Sequence, residues 1–72
     1  MTIEMQFVQS SNIEQIGYDE PNQELHVNFL NSNIVYIYIA VPEYVYEEFL
    51  AADSKGRYLH QNIKPRFEFR KE

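Results

Sequence analysis

A chain of 72 residues with 44% apolar and 15% aromatic residues has room for one folded domain and is too apolar to be a disordered tail. It contains no cysteine, which excludes disulfide staples, thiolate metal sites and a cysteine nucleophile. The net charge of −5 argues against general polyanion binding but averages a split: nine acidic and no basic residues over 1–54 give −9, and six basic against two acidic over 55–72 give +4.

Met1 to Gln9 reads as a weakly patterned lead-in. It has no charged-then-apolar leader, and no apolar run in the chain approaches the roughly 20 residues that span a bilayer, so a cytosolic location is expected. Ser10, Ser11 and Asn12 are turn formers that bring the chain into a strand over Ile13–Tyr18. Ile16 and Tyr18 share a face, but so does Glu14, and Gly17 within the run marks a bulge or a close backbone approach. Asp19-Glu20-Pro21-Asn22 signals a turn. The next strand, Glu24–Leu30, alternates cleanly, with Leu25, Val27 and Phe29 on one face and His26 and Asn28 on the other. Asn31-Ser32-Asn33 makes a hairpin turn, since Asn tolerates positive φ. Ile34–Ala40 is β-branched, aromatic or Ala throughout, a strong strand composition. Val35, Ile37 and Ile39 form one of its faces; Tyr36, Tyr38 and Ile34 form the other. Both faces are apolar, so both are expected to be covered.

Pro42 suits the start of a helix, where its missing N–H costs nothing. Glu43, Glu47 and Glu48 lie towards the N-terminal end, which the helix dipole favours. Val45, Phe49 and Ala52 form an inner stripe flanked by Tyr46 and Leu50, with Tyr44 opposite. Asp53-Ser54-Lys55-Gly56 breaks this helix, and Ser54 is the expected N-cap of a shorter second one with Tyr58, Leu59, Asn62 and Ile63 inside. Gly56 permits tight packing or a cap. Pro65 ends the second helix. Arg66 to Arg70 alternates charged residues with Phe67 and Phe69, as a short final strand or an extended tail.

This order of pieces resembles the KTSC domain, a module found at the C-terminus of some lysyl-tRNA synthetases and as small free-standing bacterial proteins. The resemblance runs from Ser10 to Ile63. It is carried by Ser10-Ser11-Asn12-Ile13, Ile16-Gly17-Tyr18-Asp19, Leu25, Val27, Phe29, the central Tyr36-Ile37-Tyr38, Val41-Pro42, Val45, Ala52, Ser54-Lys55-Gly56-Arg57-Tyr58-Leu59, Asn62 and Ile63. Two positions depart from the family pattern: His60 stands where Asn is frequent, and Asn31-Ser32-Asn33 replaces a Gly-containing turn. The resemblance implies an α+β domain, with RNA binding proposed for the family from its synthetase context.

Two groups of residues are candidates for a nucleic-acid site. Tyr36 and Tyr38 present two rings on one side of a strand, which can stack unpaired bases, with Tyr18 a possible third on a neighbouring strand. The plainer alternative is that a helix covers them as core. Arg57, His60 and Lys64, spaced i, i+3 and i+7, would share a helical face, with Arg66 following, and could grip phosphates. The plainer alternative is a solvated face, or pairing of the basic tail with the acidic body. His26 and His60 are not in metal-type spacing, and no Gly-rich phosphate loop or nucleophile–base pairing is visible, so no metal, cofactor or enzymatic activity is expected.

The expected fold is α+β: a three-stranded antiparallel meander, then two helices packed on one face, with a short C-terminal strand allowed around Phe67. The chain is one domain over 1–72, with a core over 10–64 and a basic tail over 65–72. The core side chains are expected to be Ile16, Leu25, Val27, Phe29, Val35, Ile37, Ile39, Val45, Phe49, Leu59 and Ile63. The functional reading is a non-catalytic binding module for RNA or tRNA. The alternative is a protein-interaction or self-associating module using the acidic body and Tyr44 and Tyr46. Neither a membrane nor a small-molecule cofactor is expected as partner.

Overall fold

Antiparallel strands lie side by side in chain order across one five-stranded sheet. The strands are β1 (Gln6–Phe7), β2 (Ile13–Asp19), β3 (Glu24–Phe29), β4 (Val35–Tyr38) and β5 (Phe69–Lys71). Between β4 and β5 the chain forms α1 (Glu43–Ala51) and α2 (Lys55–Tyr58), and α2 runs on into a π-helical turn over Leu59–Ile63. This computed structural model describes residues 3–72. The meander, the two helices and the short last strand are as expected. The sheet gains one strand beyond the expectation, β1, in the stretch read as a lead-in; residues 1–2 of that stretch lie outside the described residues.

The register explains which faces are buried. One row across the sheet, Tyr18, Leu25, Tyr38 and Phe69, and the next, Gln6, Ile16, Val27, Tyr36 and Lys71, lie on the helix side. Between them the row Gly17, His26, Ile37 and Arg70 points the other way. Ile13 and Ile16 are both fully buried although three residues apart. The register shifts between Ile13 and Gln15, and this bulge turns Ile13 back to the helix side. The irregular alternation around Glu14 is therefore a bulge, while Gly17 supplies the close approach. A Cβ on Gly17 would lie 2.7 Å from Met5 Sδ and 2.8 Å from the Glu4 carbonyl oxygen.

Val45 and Phe49 of α1, with Leu59 and Ile63, bury against Ile13, Ile16, Leu25, Val27, Tyr38 and Val41. Full burial of each such aliphatic or aromatic chain stabilises the fold by roughly 1.5–3 kcal/mol. Four expected core positions differ. Phe29 is only half-buried, packed against the cluster from its margin. Ile37 is fully buried but on the opposite face, outside this cluster. Val35 is half-buried there. Ile39 is 39% exposed. The strand has ended by then, and the chain turns through Ala40 at a positive φ of 59° towards α1. That crossover is pinned twice: Val41 N–H donates to the Gln23 carbonyl at 2.8 Å, and the Tyr18 hydroxyl donates to the Val41 carbonyl. Pro42 is the N-cap of α1, and the Ser54 hydroxyl accepts from Arg57 N–H as the cap of α2. Asn31 takes the positive φ its turn requires, 62°.

Candidate functional site

The helices cover only part of their face of the sheet. Tyr38, at the covered end of β4, is 1% exposed, and two residues earlier Tyr36 is half-buried. Beside them a cleft of about 540 Å³ opens, floored by Phe29, Tyr36, Tyr38 and Phe69, with Lys64 on one wall and Asn12 and Ser32 at its end. Its rings form a connected array. Phe29 meets Tyr36 edge to face with centroids 5.3 Å apart, and Phe69 lies 5.3 Å from Tyr36 and 5.6 Å from Tyr38. Phe69 is 50% exposed, so the array presents ring surface to solvent.

Two ammonium groups attend it. Lys64 Nζ stands 5.8 Å from the centroid of Phe29, and Lys71 Nζ 5.6 Å from that of Tyr36. Both positions suit cation–π attraction, and both heads stay free to turn towards an anion. Burial, with a smaller effect of Tyr36, pushes the Tyr38 hydroxyl above its ordinary pKa. The array contains no carboxylate and is bordered by positive charge. Such a surface can stack planar, unpaired bases and hold their phosphates.

Of the six residues proposed from the sequence, Tyr36, Tyr38 and Lys64 come together here. Arg57, His60 and Arg66 are exposed outside the cleft lining, and the Arg66 guanidinium lies 5.4 Å from the Phe67 centroid. The cause is the helix. Lys64 N–H donates to the Leu59 carbonyl, five residues back, and a turn this wide advances each residue by less than the roughly 100° of an α-helix. The i, i+3, i+7 spacing therefore does not keep Lys64 in line with Arg57 and His60. Sequence reasoning missed Phe29, Phe69 and Lys71 as site residues. The alternation in 66–70 was the available signal for Phe69, and β5 carries it one step further, placing Phe69 and Lys71 on the helix side.

Tyr18 is not part of this array. β3 separates it from β4, and it stacks instead on Tyr46 of α1, centroids 4.7 Å apart. Tyr46 is thereby half-buried and accepts a hydrogen bond from Gln6 Nε2, leaving Tyr44, 57% exposed, as the outward tyrosine of α1. Beside that stack Glu20 and Glu43 approach, and the charge and hydrogen bond of Glu20 raise the Glu43 carboxyl above the ordinary carboxylate range. On the opposite face His26 is 9% exposed, and among the described residues its Nε2 has no partner. His60 is exposed. Among the described residues no three His, Cys, Asp or Glu side chains converge on a metal position. No helix there is long and apolar enough to cross a membrane.

The KTSC domain family model matches residues 9–67. The chain belongs to the KTSC domain family. A crystal structure of a KTSC domain protein from Yersinia pestis superposes with a TM-score of 0.91 at 39% identity, covering 99% of each chain. A Tsukamurella paurometabola protein is 44% identical over 63 residues, 88% of this chain and 92% of its own. An uncharacterized Stutzerimonas stutzeri protein is 45% identical over 58 residues, 81% of this KTSC chain and 80% of its own. A lysine–tRNA ligase from Nostoc punctiforme is 38% identical over 61 residues, 85% of this chain but only 11% of the ligase.

Proposed function

We propose that this KTSC chain is a non-catalytic, cytosolic RNA-binding module whose ligand is single-stranded RNA or an unpaired region of tRNA. The observation that carries the reading is the open aromatic array of Phe29, Tyr36 and Phe69 set between Lys64 and Lys71. The similarity to a segment of lysine–tRNA ligases supports the tRNA version. In this reading Tyr36 and Phe69 stack a base, Lys64 and Lys71 hold its phosphates, and Tyr38 keeps Tyr36 and Phe69 in place from below. Arg57, His60 and Arg66 lie beyond the cleft as a surrounding basic field. An unpaired strand is favoured over a duplex because the rings need exposed base faces.

Fluorescence anisotropy with a labelled single-stranded RNA tests this. One base stack is worth roughly 1–3 kcal/mol, so Phe69→Ala should weaken binding about 5- to 150-fold. Lys64→Ala should weaken it less and reduce its salt dependence. Circular dichroism checks that both variants fold. Binding unchanged in both folded variants would move the site elsewhere. The alternative of a self-associating module is favoured by a separate feature, the free edge of β5.

A further inference from the structure

β5 is an edge strand, and among the described residues half its backbone groups have no partner. The Ile39 N–H donates to the Glu68 carbonyl and the Glu72 N–H to the Val35 carbonyl, and Arg70 stands opposite Ile37. Glu68, Arg70 and Glu72 therefore direct their backbone groups at β4. By the alternation of an antiparallel ladder, Phe69 and Lys71 direct theirs outward, past the last strand of the sheet. We propose that this edge pairs with β5 of a second copy, antiparallel, about a two-fold axis at Phe69.

The side chains select that register. Residues opposite one another in an antiparallel pair must share a face, so a symmetric pairing centres on a residue rather than between two. Centred on Phe69, the two outward amides and carbonyls of Phe69 bond each other. Glu68 then falls opposite Arg70 of the second copy, and Arg66 opposite Glu72, each twice by symmetry. Glu68 and Arg70 occupy a non-hydrogen-bonded position, where side chains stand closest. Centring on Arg70 would instead oppose Arg70 to itself and Glu68 to Glu72. Centring on Lys71 would oppose two lysines. Charged, short edges normally guard a sheet against promiscuous pairing; here the same charges repel the neighbouring registers and match in one. The Glu68 side chain is exposed. Arg70 is half-exposed while paired with Glu24 at 2.9 Å, so its guanidinium can hold both carboxylates through its several N–H donors.

The pairing would join two five-stranded sheets. Phe69 of each copy lies on the helix side, so the two aromatic clefts would meet at the axis as one continuous surface. Dimerisation does not depend on the RNA reading, and its test uses no nucleic acid.

Sedimentation equilibrium of the full chain from micromolar to millimolar concentration should show a monomer–dimer equilibrium. E68R and R70E should each be monomeric over that range, and their equimolar mixture should regain the dimer, because each mismatch is reversed in the mixed pair. F69P, which removes the outward N–H but none of the bonds to β4, should also be monomeric. Circular dichroism confirms the fold of each variant. If R70E fails to fold for want of its Glu24 partner, E68R alone decides, since the Glu68 side chain makes no ion pair or hydrogen bond among the described residues. A wild-type chain that is monomeric at millimolar concentration, or a folded E68R that dimerises like wild type, would overturn the proposal.

Discussion

At Gly56 helix propensity and packing pull in opposite directions. Alanine is ordinarily favoured over glycine within a helix by roughly 0.5–1 kcal/mol. Here a Cβ would collide with the Asn12 side chain, whose Oδ1 also accepts a hydrogen bond from Ser10 Oγ at 3.0 Å. The Ser10 hydroxyl in turn accepts from Ile13 N–H, so this side chain is held by the turn that launches β2. Packing should win: Gly56→Ala is expected to destabilise by about 1–3 kcal/mol in urea denaturation. In an Asn12→Gly background the collision is gone, and the same change should be neutral or stabilising. Tyr58 carries a second residue-scale prediction. Burial first, then its hydrogen bond to Glu48 at 2.6 Å, pushes its hydroxyl pKa up to about 12 from 10.0. The raised value means that the fold favours the neutral phenol. Its contribution to stability is full below the unfolded value and is lost as pH rises through about 12. Between those values the wild type should lose stability relative to Tyr58→Phe, measured by thermal melts across alkaline pH. Parallel curves for the two proteins would contradict the assignment.

At the scale of elements, the sequence was legible where pattern and period agreed and opaque where tertiary contacts decide. β3 alternates and lies at the centre of the sheet. α1 has its apolar stripe, and Val45 and Phe49 are buried as that stripe requires. β1 is two residues long, and Gln6 and Phe7 form a strand only because β2 offers an edge. The bulge at Glu14 showed itself as broken alternation, but its position relative to Gly17 depended on the pairing with β3. For β4, two apolar faces could not say which tyrosine is covered. The answer depends on where α1 and the π-helical turn end over the sheet, burying Tyr38 and leaving Tyr36 at the rim of the cleft. That turn is itself invisible in the sequence, because Leu59 and Ile63 at i and i+4 fit an α-helix equally well, and with it goes the displacement of Lys64 from Arg57 and His60. Amide hydrogen exchange should follow the same hierarchy. β3, paired on both sides, should exchange slowest, and β1 far faster. Slow exchange at β1 to the level of β3 would mean that this edge is far better held than its length suggests.

For the whole molecule, the division of charge sets the terms of any encounter with a polyanion. The −9 of residues 1–54 repels it, and the +4 of residues 55–72 attracts it. β5 returns the basic segment to the sheet, where Arg70 is tied to Glu24 by two hydrogen bonds, 2.9 and 3.2 Å. Lys64 and Lys71 are instead left over aromatic rings. An orientation that presents the cleft and hides the acidic body is thus favoured, and affinity should be modest and fall with salt. Each phosphate contact on a single strand contributes about 0.7 to the slope of log K against log salt. The most direct measurement is a nuclear magnetic resonance titration of labelled protein with short single-stranded RNA at low and physiological salt. Shifts confined to Phe29, Tyr36, Lys64, Phe69 and Lys71, with affinity falling as salt rises, are the predicted result. No shifts at low salt, or shifts centred on the acidic surface around Tyr18, Glu43 and Tyr46, would contradict it.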